Sequence, residues 1–516
     1  MTKFYEKVAY RDEEEDIQSQ KSVDKWIFGL LLIVIGFVPL IVMASVVEVQ
    51  SPLITNVSAL TGGAKGDLFT HYKALLVVVI TVVAALLFMM KILFMDGKIR
   101  KTKLNYAIGA FAVAIVLSTI FSPNISIALH GQYNRSDGAI SWLCYLALFF
   151  IAMNIDYPKK VLNYVLYALY PFVIINLYII TMNFYGHDLL QKPAVQKLVQ
   201  SFLPAGANIS EDSILVGTLN QWNYMSGMFA IMTVMFLAAA ILEKHIGRAI
   251  GHLVIAIMSI VVMLMSISTS GFLTVCVMML VVLFAAFRSE KKAQSFAMIA
   301  VFLVATAPVF HVLALKEDKV WRESFGFFTD SNPYGWKPES NTSFLSDTLL
   351  ETTLAAEHFE LPTLPTPAMS AGSGRIYIWE KTLYLLKERF ILGYGLDTIM
   401  YNFPHYNIQA RSGLQDENII VDKPHNMYIG ILYGTGLLGI VSLLFFICIN
   451  LFMTLKFVMR HNNLLVWAFN IAWGAYLIQA LFNDSVSGVS TTMWIIAGIL
   501  SAIVLKNKEQ IYERDN

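Results

Sequence analysis

Uninterrupted apolar stretches alternate with short polar segments along most of the chain. Each stretch approaches the ~20 residues that cross a bilayer as a helix. Twelve are read as spans: 26–47, 74–95, 104–122, 139–155, 160–184, 220–242, 249–267, 270–287, 294–315, 425–452, 464–482 and 488–505. The 139–155 span is short, and 249–287 reads either as two helices meeting at Ser266–Gly271 or as one re-entrant unit. The polar run ahead of the first span, and that span's length, predict no cleavable signal peptide.

One interval breaks the alternation. Residues 316–424 contain no apolar run of spanning length, and their middle, about 325–373, is rich in Ser, Thr, Pro and Glu and predicts a mobile stretch. Order resumes at Ser373, a plausible helix N-cap. Beyond it Ile376, Trp379, Leu383, Leu386 and Phe390 recur at helical spacing, with Lys381, Lys387, Glu388 and Arg389 on the other face. Gly393-Tyr394-Gly395 stops this amphipathic helix, which is expected to lie over one mouth of the bundle.

Composition removes the soluble alternatives. Hydrophobic residues make up 57% of the 516 positions and charged residues 14%, against about a quarter charged in a soluble domain. The fold class is therefore an all-α integral membrane protein embedded in a lipid bilayer. A net charge of +1 leaves no basic face for nucleic acid. Cys144, Cys276 and Cys448 each sit in an apolar run without a CxxC neighbour, which argues against metal or redox centres.

The sign of the loops sets orientation. Short loops on one side carry 13 Lys and Arg, and those on the other carry 5. This predicts both termini in the cytoplasm and 316–424 outside. The organisation is then a cytoplasmic tail at 1–25, nine spans in 26–315, the large outer loop 316–424, three spans in 425–505 and a second tail at 506–516. The acidic run Glu13–Asp16 reads as a solvated part of the first tail.

With the sides assigned, polar residues at the outer boundary can be collected: His130, Arg135, Asp137, Asn220, Asn223, Ser268–Ser270, Arg375, Arg411, His425, Asn426, Asn483 and Asp484. Ordinary roles exist for several of them. Asn220 and Asn223 can cap the helix that follows, Asn483-Asp484 can be a polar turn, and Arg411 can be a surface charge. Gly434, Gly436 and Gly439 suit close helix contact.

Two segments carry a resemblance. SGRIYIWEKTLYLLKERFILGYG (373–395) precedes DKPHNMYIGILYGTGLLGI (422–440), placing Arg375, Trp379, Gly393 and Gly395 ahead of His425-Asn426 and the three glycines. This resembles the O-antigen ligase and polymerase family of membrane glycosyltransferases. GTLNQWNYMSG (217–227) and GQYNRSDG (131–138) resemble its other conserved loops. One departure is the reading Ser268-Thr269-Ser270-Gly271, where the family often carries Ser-Arg-Gly. Anion binding would then lean on Arg135, Arg375 and Arg411.

The resemblance implies transfer or polymerisation of a glycan from a polyprenyl diphosphate carrier onto a glycan, lipid or protein acceptor, outside the cytoplasmic membrane of a bacterium. Residue chemistry is compatible. Arginine pairs its planar fork with phosphate oxygens and stays charged, which suits Arg375 and Arg135, with Arg411 a weaker third. Histidine titrates where a general base must, which suits His425. Asn426, Asn220 and Asn223 complete the expected substrate-binding set. No acidic cluster suggests a metal, and no cofactor is expected. The rival readings are a transporter or flippase of lipid-linked glycan without chemistry, and a scaffolding subunit.

Overall fold

The computed structural model describes residues 13–209, 213–219, 221–329, 331–335, 364–460 and 464–515. Most of the stretch expected to be mobile, and Asn220, lie outside them. Ten described helices are long and apolar enough to cross a membrane, and two more apolar helices have 16 residues. In chain order the elements are α1 (Glu13–Gly36), a hairpin of β1 (Ser45–Val49) and β2 (Gly63–Asp67), α2 (His71–Phe94), α3 (Lys103–Ile120) and α4 (Ile125–His130). Next come α5 (Ala139–Asn154), α6 (Val161–Phe184), α7 (Trp222–Leu242), α8 (Ile246–Met265), α9 (Thr269–Arg288) and α10 (Lys292–Lys316). Apart from short helices such as Pro193–Val199 and Ile399–Asn402, the remainder are α11 (Arg375–Leu386), α12 (Met427–Arg460), α13 (Leu464–Gln479) and α14 (Ser487–Asp515). The hairpin is antiparallel, with Ser45 opposite Asp67 and Val49 opposite Gly63.

The all-α membrane architecture stands, with two corrections of detail. The first helix starts at Glu13 rather than 26 and ends at Gly36, and residues up to 49 turn into β1. Its polar first half is drawn in because Asp24 is buried against Lys91 at 2.7 Å. Glu13–Asp16 are thus helical, with Glu14 and Glu15 exposed as expected of a solvated run. Pro39 then permits only a short 3-10 turn before the strand. The 249–287 stretch is two helices, α8 and α9, separated at Ile267–Ser268.

The second correction concerns α11. Its N-cap position is Gly374, in the left-handed region, and Ser373 does not cap it. Ile376, Leu383 and Phe390, expected on the packed face, are exposed. Leu386 is buried as expected, but Tyr377 and Ile378 are buried with it. The sequence is apolar on two sides there, and Tyr377 and Ile378 join a small second core with Tyr394, Leu414, Val421 and Tyr433. Tertiary packing, not periodicity, chose the face.

Helix α7 is apolar on every side and buried along its whole length at the centre of the bundle. Helix α12 is broken: Gly436 has φ 63° and ψ −164°. The break diverts Leu437 N–H to Phe390 O (2.8 Å) and Leu438 N–H to Ile391 O (3.3 Å). The released carbonyls of Tyr433 and Gly434 accept from Tyr394 N–H (3.0 Å) and Gly395 N–H (2.8 Å). Interrupted backbone in an apolar setting persists only when its polar groups are paired this way. It also explains the Gly-x-Gly turn, since a Cβ on Gly393 would overlap Tyr433 O. The rings of Tyr394 and Tyr433 stack at 5.1 Å, 1° from parallel.

Gly436→Ala would force a Cβ onto Ile391 O at a positive φ. A loss of about 1–3 kcal/mol is expected, read as a lower melting temperature in detergent. Gly109→Ala, where the added atom meets open space, should leave melting unchanged.

Candidate active site

The contacts sort helix termini into two sets. At one end Asp24, Lys91, Arg100 and Asp156 form a charged group tied by Arg100–Asp156 at 2.8 Å and Lys91–Asp24. At the other, called here the mouth, the loops leading into α5, α7, α9, α12 and α14 converge.

The 131–138 loop is pinched at its base. Added Cβ atoms on Gly131 or Gly138 would overlap the opposite strand of the loop. That closure turns Arg135 and Asp137 inward, where Arg135 is 1% exposed. An Arg135 Nη2 pairs with Asp422, and its Nε and Nη1 are buried without a hydrogen-bond partner. Lys423 is equally buried, with Nζ 3.3 Å from Asp137 Oδ2 and 3.6 Å from Asp397 Oδ1. Ser485 Oγ donates to Asp137, and Gln132 N–H donates to Asp397 Oδ2 at 2.7 Å. Two cations thus meet three carboxylates. Burial pushes the Asp137 carboxyl up to about 7, against the pull of Lys423. Burial works to lower the Lys423 pKa, but Asp397 and Asp137 outweigh it and hold the ammonium well above its usual value.

Both shifts are upward, which favours the neutral form of Asp137 and the charged form of Lys423. Asp137 rises from an ordinary 3.8, so its contribution to stability is present below about 4 and is lost as pH climbs through about 7. Asp137→Asn removes that titration. The variant's melting temperature, measured against wild type, should improve steadily from about pH 4 to about pH 7.

Next to this cluster, His425 Nδ1 lies 3.3 Å from Asp484 Oδ2. Burial works to raise the Asp484 pKa, but His425, Lys423 and Arg135 overcome it and hold the carboxyl at about 2. Asp484 is therefore an anion at any pH near neutrality. His425 is held in place from two sides. Its own φ is 52°, and the Trp379 indole Nε1–H of α11 donates to the carbonyl of Pro424 just before it, at 2.7 Å. One turn before Trp379, Arg375 opens α11 half-buried, without a side-chain hydrogen bond or ion pair among the described residues. Burial lowers its pKa, while the charge of Asp484 opposes that; a guanidinium remains protonated regardless.

The structure thus brings Arg375, His425 and Arg135 to one mouth in different settings. Arg135 is paired and enclosed, whereas the Arg375 side chain has no hydrogen bond or ion pair among the described residues. Arg411 pairs with Glu417 at 3.2 Å, and no hydrogen bond or ion pair among the described residues links it to the His425 group. Asn426 Oδ1 is taken up by the N–H groups of Tyr428 (3.0 Å) and Ile429 (3.2 Å), capping α12. Asn223 accepts from Ser268 Oγ at 2.9 Å, and its carbonyl accepts from Asn483 Nδ2 at 2.9 Å, so it fastens the α7, α9 and α14 loops together.

Sequence reasoning missed Lys423, Asp397 and Asp422 and gave Asp137 and Asp484 no part. Asp422 and Lys423 sit inside the quoted DKPHN stretch, and their charge so close to an apolar span was the available signal. It also missed His252, fully buried in α8 and bonded to Tyr170 OH at 2.8 Å.

Residues 253–444, from α8 into α12, match the family model described as O-antigen ligase. No curated protein matches the chain. The matched interval holds Arg375, Arg411, His425, Asn426 and the Gly393–Gly395 turn, so it bears out the resemblance read from those segments. It supports a multi-pass membrane enzyme of glycan processing, of the ligase or glycosyltransferase kind, using a lipid-linked glycan donor.

Proposed function

We propose that this protein transfers a glycan from a polyprenyl diphosphate carrier to an acceptor hydroxyl at the outer face of the cytoplasmic membrane, in one inverting displacement. The observation that carries the reading is the convergence of an open cation, Arg375, and a carboxylate-oriented imidazole, His425, at one mouth of the bundle. With Nδ1 toward Asp484, Nε2 of His425 is free to take the proton of the acceptor hydroxyl. The hydroxyl oxygen attacks the anomeric carbon, the bond from that carbon to the diphosphate oxygen breaks, and the carrier leaves with the negative charge. Arg375 meets that charge with a bidentate fork. Arg135 and Lys423 act from behind, holding the loops that frame the site, and Arg411 takes no part. A finished glycan moved to a different acceptor makes the protein a ligase; extension of a second lipid-linked chain makes it a polymerase.

Arginine takes the place of a divalent ion here, so transfer should persist in EDTA. Activity lost on chelation and restored by magnesium or manganese would overturn this part. Arg375→Lys keeps the charge and loses the fork. A drop of about tenfold to a hundredfold, or ~1.4–2.8 kcal/mol, is expected in kcat/KM. An unchanged rate would remove the bidentate role.

A further inference from the structure

We infer that a second groove beside the mouth, between β1, the start of α2 and the 131–138 loop, binds the sugar portion of a membrane-anchored acceptor; this rests on the transferase reading above. The groove has a volume of about 540 Å³, within the ~300–1,000 Å³ of ligand sites. The 131–138 loop is the wall it shares with the charged cluster. Gly131, Gln132, Tyr133 and Ser136 line the groove, while Arg135 and Asp137 turn the other way into the ion pairs.

The lining is of two kinds. Leu75, Val78 and Ile140, from the spanning helices α2 and α5, give it an apolar side. Glu48, Gln50, His71, Tyr133 and Tyr401 give it a polar one. None of these five side chains has a hydrogen bond or ion pair to another described residue. Two tyrosines offer flat apolar faces and hydroxyls, and an amide and a carboxylate offer acceptors for hydroxyl donors. That set matches a sugar, which is apolar on its ring faces and hydroxylated at its edges.

Charge excludes the other substrate. No Lys or Arg is among the described lining residues, and Glu48 is acidic. A diphosphate placed there would face a carboxylate with no permanent cation to pair it, only His71 and His130. A two-substrate transferase needs one site for an anionic donor and one for a hydroxyl acceptor. Arg375 and this groove have those two chemistries, on neighbouring parts of the same end.

The test uses the full chain in lipid nanodiscs and a decyl diglucoside carrying a diazirine on its sugar. Photolabelling should map to peptides covering 46–50, 71–78 and 130–136, with competition by unlabelled decyl diglucoside and none by inorganic diphosphate. Gln50→Ala, at an exposed position, and Tyr133→Ala should together weaken labelling by about tenfold, ~1.4 kcal/mol. Labelling elsewhere, competition by diphosphate, or equal labelling by a diazirine decanol without sugar would each overturn the assignment. In a transfer assay the same variants should raise the acceptor KM and leave the donor KM unchanged, and a fall in kcat alone would contradict the groove. A wild-type protein that shows this labelling but transfers nothing would sink the transferase reading and leave the groove standing as a sugar site.

Discussion

Replacing His425 with alanine is expected to lower glycan transfer by about 10²–10⁴-fold, the range that a positioned general base supplies. Protein abundance should hold and melting temperature should fall only slightly, because the imidazole is partly exposed and Lys423 and Arg135 remain as cations around Asp484. Asp484→Asn tests the same pair from the other side. It leaves the ring in place but takes away the anion that fixes which nitrogen carries the proton, so kcat should fall while the donor KM holds. Abundance equal to wild type with full transfer in both variants would remove the base from the mechanism.

Lys423→Met should be the most damaging substitution for stability. The ammonium lies in the interior between Asp137 at 3.3 Å and Asp397 at 3.6 Å, and Met replaces its volume but not its charge. Breaking a buried pair by removing one partner costs about 3–5 kcal/mol, because the other charge is left uncompensated. Here carboxylates would remain with Arg135 as their neighbouring cation. A double variant, Lys423→Met with Asp397→Asn, should recover part of the loss, and the coupling read from the cycle should be of the order of 0.5–3 kcal/mol. Thermal unfolding in detergent measures both. Additive losses would mean that the two groups are independent despite their proximity.

The fold was largely legible because length and hydropathy decide whether a segment can cross a bilayer, and eleven of the twelve apolar runs coincide with one described helix each. The first was misplaced because a hydropathy reading cannot see that Asp24 is neutralised by Lys91, a residue 67 positions away. The amphipathic helix was found, but its packed face was not. Ile376 and Tyr377 are both apolar, and only the second core distinguishes them. At the site, Arg375 and His425 were visible because their spacing carried a resemblance. Asp484 and Asp137 had only their polarity to speak for them. Their meaning depends on loops from four parts of the chain meeting, which no local pattern encodes. Arg135 was the instructive case: its charge was noticed, but no local pattern showed that it is buried against Asp422.

The central claim is that Arg375 and His425 carry out glycan transfer from a lipid diphosphate. Purified protein in liposomes, given a defined polyprenyl diphosphate oligosaccharide and a panel of hydroxyl acceptors, tests it most directly. The account predicts a new glycosidic product and free polyprenyl diphosphate in equal amounts, with both abolished by Arg375→Ala and by His425→Ala in protein that melts normally. Movement of the intact donor across the bilayer without any new glycosidic bond, or transfer that both variants support at the wild-type rate, would contradict it.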